Sequence, residues 1–312
     1  MSSSRPFVPQ HFVRREDGRA GLWFIEAGRA RWRPVRLGSL ELGAPLVAAA
    51  AADLDGDGKA ELYLVTAREV VAVGVGARLR ELGRVAFTGE PAVPQARDVV
   101  GAAVVDGDGL VATVSAWAKD LRVSWRRSTL TAKHGPGGFL VCGERLALAR
   151  GKNHFRDGAA AMLGARCRDD LVDAAGLPLR VRAELSVAGA LEVAVARCAP
   201  AAAGGAAAPG APAACQPVAS YTVKDVGAAF ELADVDRDGS PEAIVSSASA
   251  PGDPDTVRVI ALGHPGKPLF KRTFHGGVVG LVFADADGDG VAEVLAVVRL
   301  AGATRVDVWR LD

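Results

Sequence analysis

Aromatic side chains are scarce in this sequence of 312 residues: Phe, Trp and Tyr make up 5% of it, with five Trp and only two Tyr. A core built from this chain has to be filled by Ala, Val and Leu, which the 49% hydrophobic content supplies. Repeated aromatic pockets of the kind that stack on sugar faces are hard to assemble from so few rings. Net charge is equally lacking: 37 Lys and Arg face 36 Asp and Glu, which excludes a nucleic-acid partner held by bulk attraction to phosphates. No stretch approaches the ~20 apolar residues that cross a bilayer as a helix. The opening segment Met1–Gln10 (MSSSRPFVPQ) has no apolar stretch of the kind a secretory signal carries.

Catalytic patterns are also missing. Five histidines, His11, His134, His154, His264 and His275, are scattered without metal-ligand spacing and read as surface or turn residues. There is no G-x-S-x-G elbow, and Gly74-Val75-Gly76 does not continue into a dinucleotide fingerprint. His134–Gly138 (HGPGG) reads as a turn between strands. Two basic–aromatic clusters, Arg31–Arg36 (RWRPVR) and Ser124–Arg127 (SWRR), read as Trp packed between sheets beside solvated arginines, although Trp and Arg are also favoured at binding hot spots.

The four cysteines form no C-x-x-C, so neither a zinc knuckle nor a redox motif is suggested. Local pairing, one of three possible connectivities, joins Cys142 to Cys167 and Cys198 to Cys215. Between the second pair lies 199–214 (APAAAGGAAAPGAPAA), an Ala/Gly/Pro tract with too few packing side chains to fold. It is expected to be a disordered excursion inside one structural unit, pinned at its base by the disulfide.

What the sequence does contain is an internal repeat. Asp53–Thr66 (DLDGDGKAELYLVT), Asp234–Ser247 (DVDRDGSPEAIVSS) and Asp285–Val298 (DADGDGVAEVLAVV) align without gaps. Each follows an apolar run (46–52, 228–233 and 278–284) and leads into an alternating or apolar β-rich run, so the unit is strand, acidic loop, strand. Fainter copies stand at Val104–Ala112, Asn153–Ala161 and Val13–Gly21, and a bare hairpin at Arg180–Ala196 fits one more unit. Starts near 13, 53, 104, 153, 185, 234 and 285 have a mean spacing of about 45 residues, the period of four-stranded propeller blades. The expectation is an all-β chain forming a single domain over 1–312: a seven-bladed β-propeller of four-stranded antiparallel blades, with six blades as the alternative. The last blade has only three strands of its own, and a strand within Phe7–Arg14 is expected to complete it and remove an exposed edge.

Carboxylates at alternate positions of a tight turn supply the six to eight hard oxygens that calcium requires. Counting from the first Asp, the first loop offers Asp53, Asp55 and Asp57, the carbonyl of Lys59 and the carboxylate of Glu61. The second offers Asp234, Asp236, Asp238, the Ser240 carbonyl and Glu242. The third offers Asp285, Asp287, Asp289, the Val291 carbonyl and Glu293. Gly58, Gly239 and Gly290 stand at position 6, where the chain turns sharply and positive φ is wanted. These are not EF-hands: position 12 holds Leu64, Val245 and Ala296 where a bidentate Glu is needed, and the flanks are strands. About three Ca2+ ions are expected, one per loop, with magnesium a poorer fit because it gives up its waters reluctantly.

These D-x-D-x-D-G-x-x-E loops and their flanking strands resemble the FG-GAP/VCBS-type repeats of integrin-α-like propellers. The resemblance implies calcium held between two strands of a blade, and roles in adhesion or ligand binding. The FG and GAP signatures are eroded to fragments such as Val278–Phe283 (VVGLVF). The expected function is a non-catalytic, calcium-stabilised interaction or adhesion module whose partner is a protein or a cell-surface glycan, acting as a monomer or within a larger assembly. If the cysteines pair, the expected location is extracytoplasmic (periplasm, cell surface or secreted), and the Ala/Arg-rich composition is of the kind high-GC bacterial genes encode. A lectin is the first alternative, and an enzyme using the central funnel of the propeller, such as a lyase or hydrolase, is the second.

Overall fold

A computed structural model describes residues 12–16, 19–23, 34–66, 68–87, 99–106, 109–115, 121–126, 129–134, 139–141, 144–146, 162–173, 176–186, 188–198, 215–247, 249, 253–262, 267–300 and 304–311. Every regular element among them is a strand. The chain divides into two compact units, Met1–Trp32 and Arg33–Asp312. Of the first, the described residues form one hairpin, β1 (Phe12–Glu16) paired antiparallel with β2 (Arg19–Trp23).

The second unit is built mainly from four-stranded antiparallel sheets, in all but one of which the strands lie in sequence order. The first such sheet is β4 (Leu46–Ala52), β5 (Glu61–Thr66), β6 (Glu69–Gly74) and β7 (Arg80–Ala86). The next is β8 (Val99–Asp106), β9 (Gly109–Ser115), β10 (Leu121–Arg126) and β11 (Thr129–His134), followed by a separate hairpin of β12 (Phe139–Val141) and β13 (Glu144–Leu146). Then come β14 (Met162–Val172), β15 (Pro178–Ser186), β16 (Leu191–Cys198) and β17 (Cys215–Val223), and after them β18 (Val226–Ala233), β19 (Glu242–Ser247), β20 (Asp255–Ala261) and β21 (Phe270–Phe274). The last sheet combines β22 (Gly277–Ala284), β23 (Glu293–Arg299) and β24 (Arg305–Leu311) with β3 (Pro34–Glu41).

Burial explains the strand sequences. β5 (ELYLVT) is buried along its whole length and β6 (EVVAVG) through its first five residues, with no polar alternation, because their sheet is covered on both faces. Leu62, Leu64, Val71 and Val73 face β22–β24, meeting Leu295, Val297, Val306 and Val308. Tyr63, Val65, Val70 and Ala72 face the other way, onto Leu110, Leu121, Val123 and Leu130. Truncating any of these fully buried leucines to Ala costs about 2–5 kcal/mol. β15, by contrast, alternates buried and half-buried residues along its length, and its inward set joins Phe230, Leu232 and Ile260 of the following sheet.

The first strands of the sheets are neighbours. β4 packs against β8 and against β22, β22 against β18, β18 against β14, and β14 against β8. None of the sheets closes on itself.

Four expectations are revised. Among the described residues there are five four-stranded sheets and two hairpins, and the seven- or six-blade count is not reproduced. The unit expected near 185 begins earlier than expected, at β14, because the hairpin Arg180–Ala196 supplies the two middle strands of its sheet, β15 and β16, around a turn at Gly189 with φ 73°. The unit near 13 is the hairpin β1–β2. The strand that completes the last sheet is β3, not a strand within Phe7–Arg14, of which Phe12–Arg14 pair with β2. The β3–β24 seam is locked by a bidentate pair, Arg36 Nε and Nη2 on Asp307 Oδ2 and Oδ1 at 2.7 and 2.8 Å, with Ser39 Oγ donating to Asp307 Oδ1 at 2.6 Å.

Cys198 and Cys215 are direct cross-strand partners in β16 and β17 and are disulfide-bonded, as expected. Cys167 is also in a disulfide, while Cys142, its expected partner, lies outside the described residues. So do the tract 199–214 and the weak loop copies at 17–18, 107–108 and 153–161.

Candidate metal centres

Each acidic loop joins the first strand of a sheet to the second: β4 to β5, β18 to β19 and β22 to β23. The loops fold alike because the leading Asp organises the turn. Asp53 Oδ1 accepts the N–H of Gly56 and of Asp57 (2.7 and 3.1 Å), and its Oδ2 accepts that of Gly58 (3.0 Å). Asp285 repeats this on Gly288, Asp289 and Gly290 (2.7, 3.1 and 2.8 Å), and Asp234 takes Asp238 and Gly239 (3.0 Å each). Position 6 carries positive φ in all three, 88° at Gly58, 85° at Gly239 and 85° at Gly290. Position 4 does so too, which the sequence reading missed: Gly56 and Gly288 fill it in two loops, but in the second loop Arg237 is held at φ 59°, a conformation that costs a non-Gly residue about 1 kcal/mol.

Position 9 is anchored identically. Glu61, Glu242 and Glu293 each place Oε2 on the N–H of position 2, at 3.3 Å from Leu54, 2.9 Å from Val235 and 3.2 Å from Ala286. This turns the carboxylate back over the loop. Position 3 gives Oδ1 to the N–H of position 5 at 3.1, 3.3 and 3.3 Å. Lys59, Ser240 and Val291, expected to lend carbonyls, each donate their N–H to the Asp at position 5.

Three groups of carboxylates thereby converge closely enough to hold a metal ion. Asp53, Asp55, Asp57 and Glu61 do so in the first loop; Asp234, Asp236 and Glu242 in the second; Asp285, Asp287 and Asp289 in the third. Asp238 and Glu293 stand outside those tight sets. Two of the glutamates are sunk at the strand starts, Glu61 at 2% and Glu242 at 1% exposure, while Glu293 is half-buried. Burial, with the neighbouring aspartates adding to it, pushes the Glu242 carboxyl up to about 8 and Glu293 to about 7. Burial also raises Glu61, Asp234 and Asp236. Clustered carboxylates that resist ionisation are what a cation relieves.

The surroundings of the loops differ. Tyr63 Oη donates to Glu61 Oε2 at 2.9 Å and accepts from the indole Nε1 of Trp125 at 2.5 Å. Trp125, on β10 of the neighbouring sheet, therefore has its polar edge engaged between sheets. In the third loop Arg310 Nη1 donates to Asp287 Oδ2 at 3.1 Å. The first and third loops also touch, Ala60 N–H donating to the Asp285 carbonyl at 2.9 Å. None of these contacts had a signal in the sequence.

Trp125 of the second Trp/Arg cluster thus packs between sheets, and Arg36 of the first is committed to Asp307. Among the described residues no helix is long and apolar enough to cross a membrane.

No protein-family model and no curated protein matches this chain. Among solved structures, two mutant forms of an apocarotenoid oxygenase from Synechocystis align over 91% of this chain and 71% of theirs, at 10% and 11% identity and a TM-score of 0.25. A likeness at that level transfers neither fold nor activity.

Proposed function

We propose that the chain is a calcium-stabilised β-propeller module, non-catalytic, that works by binding a protein or a cell-surface glycan outside the cytoplasm. The observation that carries the calcium reading is the shared anchoring of the three loops: the leading Asp caps the turn, and the Glu at position 9 is turned back over it by the N–H of position 2. The donors are hard carboxylate oxygens on a compact turn, with buried members whose ionisation is suppressed until a cation arrives. That chemistry fits Ca2+, which accepts irregular shells of six to eight oxygens, better than Mg2+, which demands a strict octahedron and keeps its waters. Asp53, Asp55, Asp57 and Glu61 would hold one ion, Asp234, Asp236 and Glu242 a second, and Asp285, Asp287 and Asp289 a third. The ion supplies charge compensation, and the role is structural because metal binding to the folded loops adds directly to stability.

For the architecture, support comes from the cycle of contacts among the first strands β4, β8, β14, β18 and β22 and from the borrowed strand β3 in the last sheet. Both suit a five-bladed ring, the blade number read here in place of seven. The carboxylate clusters have their oxygens engaged by backbone N–H groups of their own turns, which favours a scaffold over acid–base chemistry. Bonded cysteines suit an oxidising compartment. The test is a calcium titration followed by melting temperature, with and without chelator: three sites and a rise of several degrees are expected. An unchanged melting temperature on chelation would sink the metal reading.

A further inference from the structure

The three loops share one hydrogen-bond ladder but not one electrostatic setting. In each, the Asp at position 3 commits Oδ1 to the backbone of position 5, which leaves Oδ2 to meet a cation. Among the described residues no hydrogen bond reaches Oδ2 of Asp55 or Asp236. In the third loop that oxygen is taken: Arg310 Nη1 sits on Asp287 Oδ2 at 3.1 Å, and the two side chains are 17% and 30% exposed. The register shows why this happens once. The residue at position 11 of each repeat faces the third strand of its sheet. Tyr63 is opposite Ala72, Ile244 is opposite Val259, and Leu295 is opposite Arg310. Two sheets put an apolar residue there, and the third puts a guanidinium within reach of the loop.

A second cationic side chain is delivered from outside. The stem of Lys59, from the first loop, lies on Gly288 so closely that a Cβ there would stand 2.8 Å from Lys59 Cγ. Beside it, Ala60 N–H is bonded to the Asp285 carbonyl. The third loop is thus braced by the first and flanked by Lys59 and Arg310. It is also the loop whose Glu stands outside the converged set.

We propose that the third loop carries its own counter-ion: the Arg310 guanidinium occupies the metal-facing oxygen of Asp287 and has to be displaced before a calcium ion can enter. This rests on the calcium reading of the loops and adds an order to them. The loops at 53–61 and 234–242 form the tight class, and the loop at 285–293 is a weak site that keeps its shape without metal. Loop 285–293 can then hold the first loop in place, through Ala60 and Asp285, whether or not it is filled.

With its side chains 17% and 30% exposed, the pair lies between surface and buried ion pairs in worth, so its displacement weakens the third site by about tenfold. The experiment is direct calcium-binding calorimetry on the full chain. Wild type is expected to bind two ions tightly and one about tenfold more weakly. Asp289→Asn is expected to remove only the weak class. Arg310→Val, the residue type of the second sheet at this position, is expected to merge the weak class with the tight ones, while Arg310→Lys keeps it weak. Arg310→Gln serves the same purpose if Val unfolds the sheet, as melting in chelator would reveal. Three equal sites in wild type, or a weak class unmoved by removal of the guanidinium, overturns the role of Arg310 and leaves calcium binding intact. No calcium uptake by any of these proteins overturns the calcium reading itself, and this inference with it.

Discussion

Replacing Glu242 by Gln should move stability in opposite directions with and without calcium. Glu242 is 1% exposed and its carboxyl is raised from 4.5 to about 8 by burial and by the three aspartates of its loop. A carboxyl whose folded value lies above its unfolded one carries no penalty below about pH 4.5. The penalty accumulates as pH rises and is complete above about 8. At about 1.4 kcal/mol per pH unit of displacement, and allowing for relaxation of the loop, ionised Glu242 costs the metal-free fold on the order of 2–4 kcal/mol. Gln keeps the acceptor for Val235 N–H, found at 2.9 Å from Glu242 Oε2, and removes the charge. In chelator at about pH 8.5, Glu242→Gln should therefore melt above wild type, by roughly 4–8 °C for a unit of this size. In calcium at about a thousandfold excess over Kd the ranking reverses, because wild type then gains about 4.1 kcal/mol from that site, more than the penalty it carries, and the variant loses that gain. Differential scanning calorimetry in EDTA and in calcium measures both. Equal melting in EDTA would refute the burial penalty, and an undiminished calcium shift would refute Glu242 as a ligand.

The same shifts set the pH dependence of binding. With Glu293 near 7 and Glu242 near 8 in the metal-free protein, calcium should expel protons, and half-saturation should fall as pH rises from about 6 to 8.5; calorimetry in buffers of different ionisation enthalpy counts them. Tyr63→Phe removes a donor to Glu61 and the acceptor of the Trp125 indole, and should cost about 2 kcal/mol, shift the tryptophan emission and weaken calcium binding at the first loop alone. Replacing Cys198 and Cys215 by Ser frees a separation of 17 residues and should lower stability by about 3 kcal/mol. Urea unfolding checks it, and wild type in reductant should match the variant if that bridge is the main one reduced.

The loops and their flanking strands were legible because their chemistry is local. Alternate Asp residues, a Gly at position 6 and a Glu at position 9 act within nine residues, and β4, β5, β18, β19, β22 and β23 border them directly. The sheet count was not legible, because loops had stood in for sheets. β15 and β16 form a hairpin without an acidic loop, and nothing local says that β14 and β17 flank it. The completing strand was misplaced for a similar reason: β3 (PVRLGSLE) and the segment around Phe12 both read as short strands, and contacts far apart in sequence, such as the Arg36–Asp307 pair and the ladder with β24, select between them. Tyr63–Trp125, Arg310–Asp287 and Ala60–Asp285 are all made across strands or sheets, so a motif that defines the ligands leaves their neighbours unstated.

Those neighbours decide what three similar loops contribute. β4 and β22 approach until a Cβ at Gly280 would meet the Ala49 methyl at 2.7 Å, and at the loop end the same two sheets are joined by Ala60 and Asp285. On the other face of β5, Tyr63 ties Glu61 to Trp125 of the next sheet. The first loop is therefore bonded to a neighbour on each side, whereas the hydrogen bonds of the second stay within its own turn among the described residues. On the proposed calcium reading, an ion at 53–61 would act on contacts between sheets, while one at 234–242 would act on one sheet. In the proposed ring, the first loop sits beside the place where β22 meets β4, the junction of the last sheet with the first. In that proposal a metal ion there would stabilise ring closure, and a loop beside it that supplies its own counter-ion would keep that junction assembled when calcium is scarce.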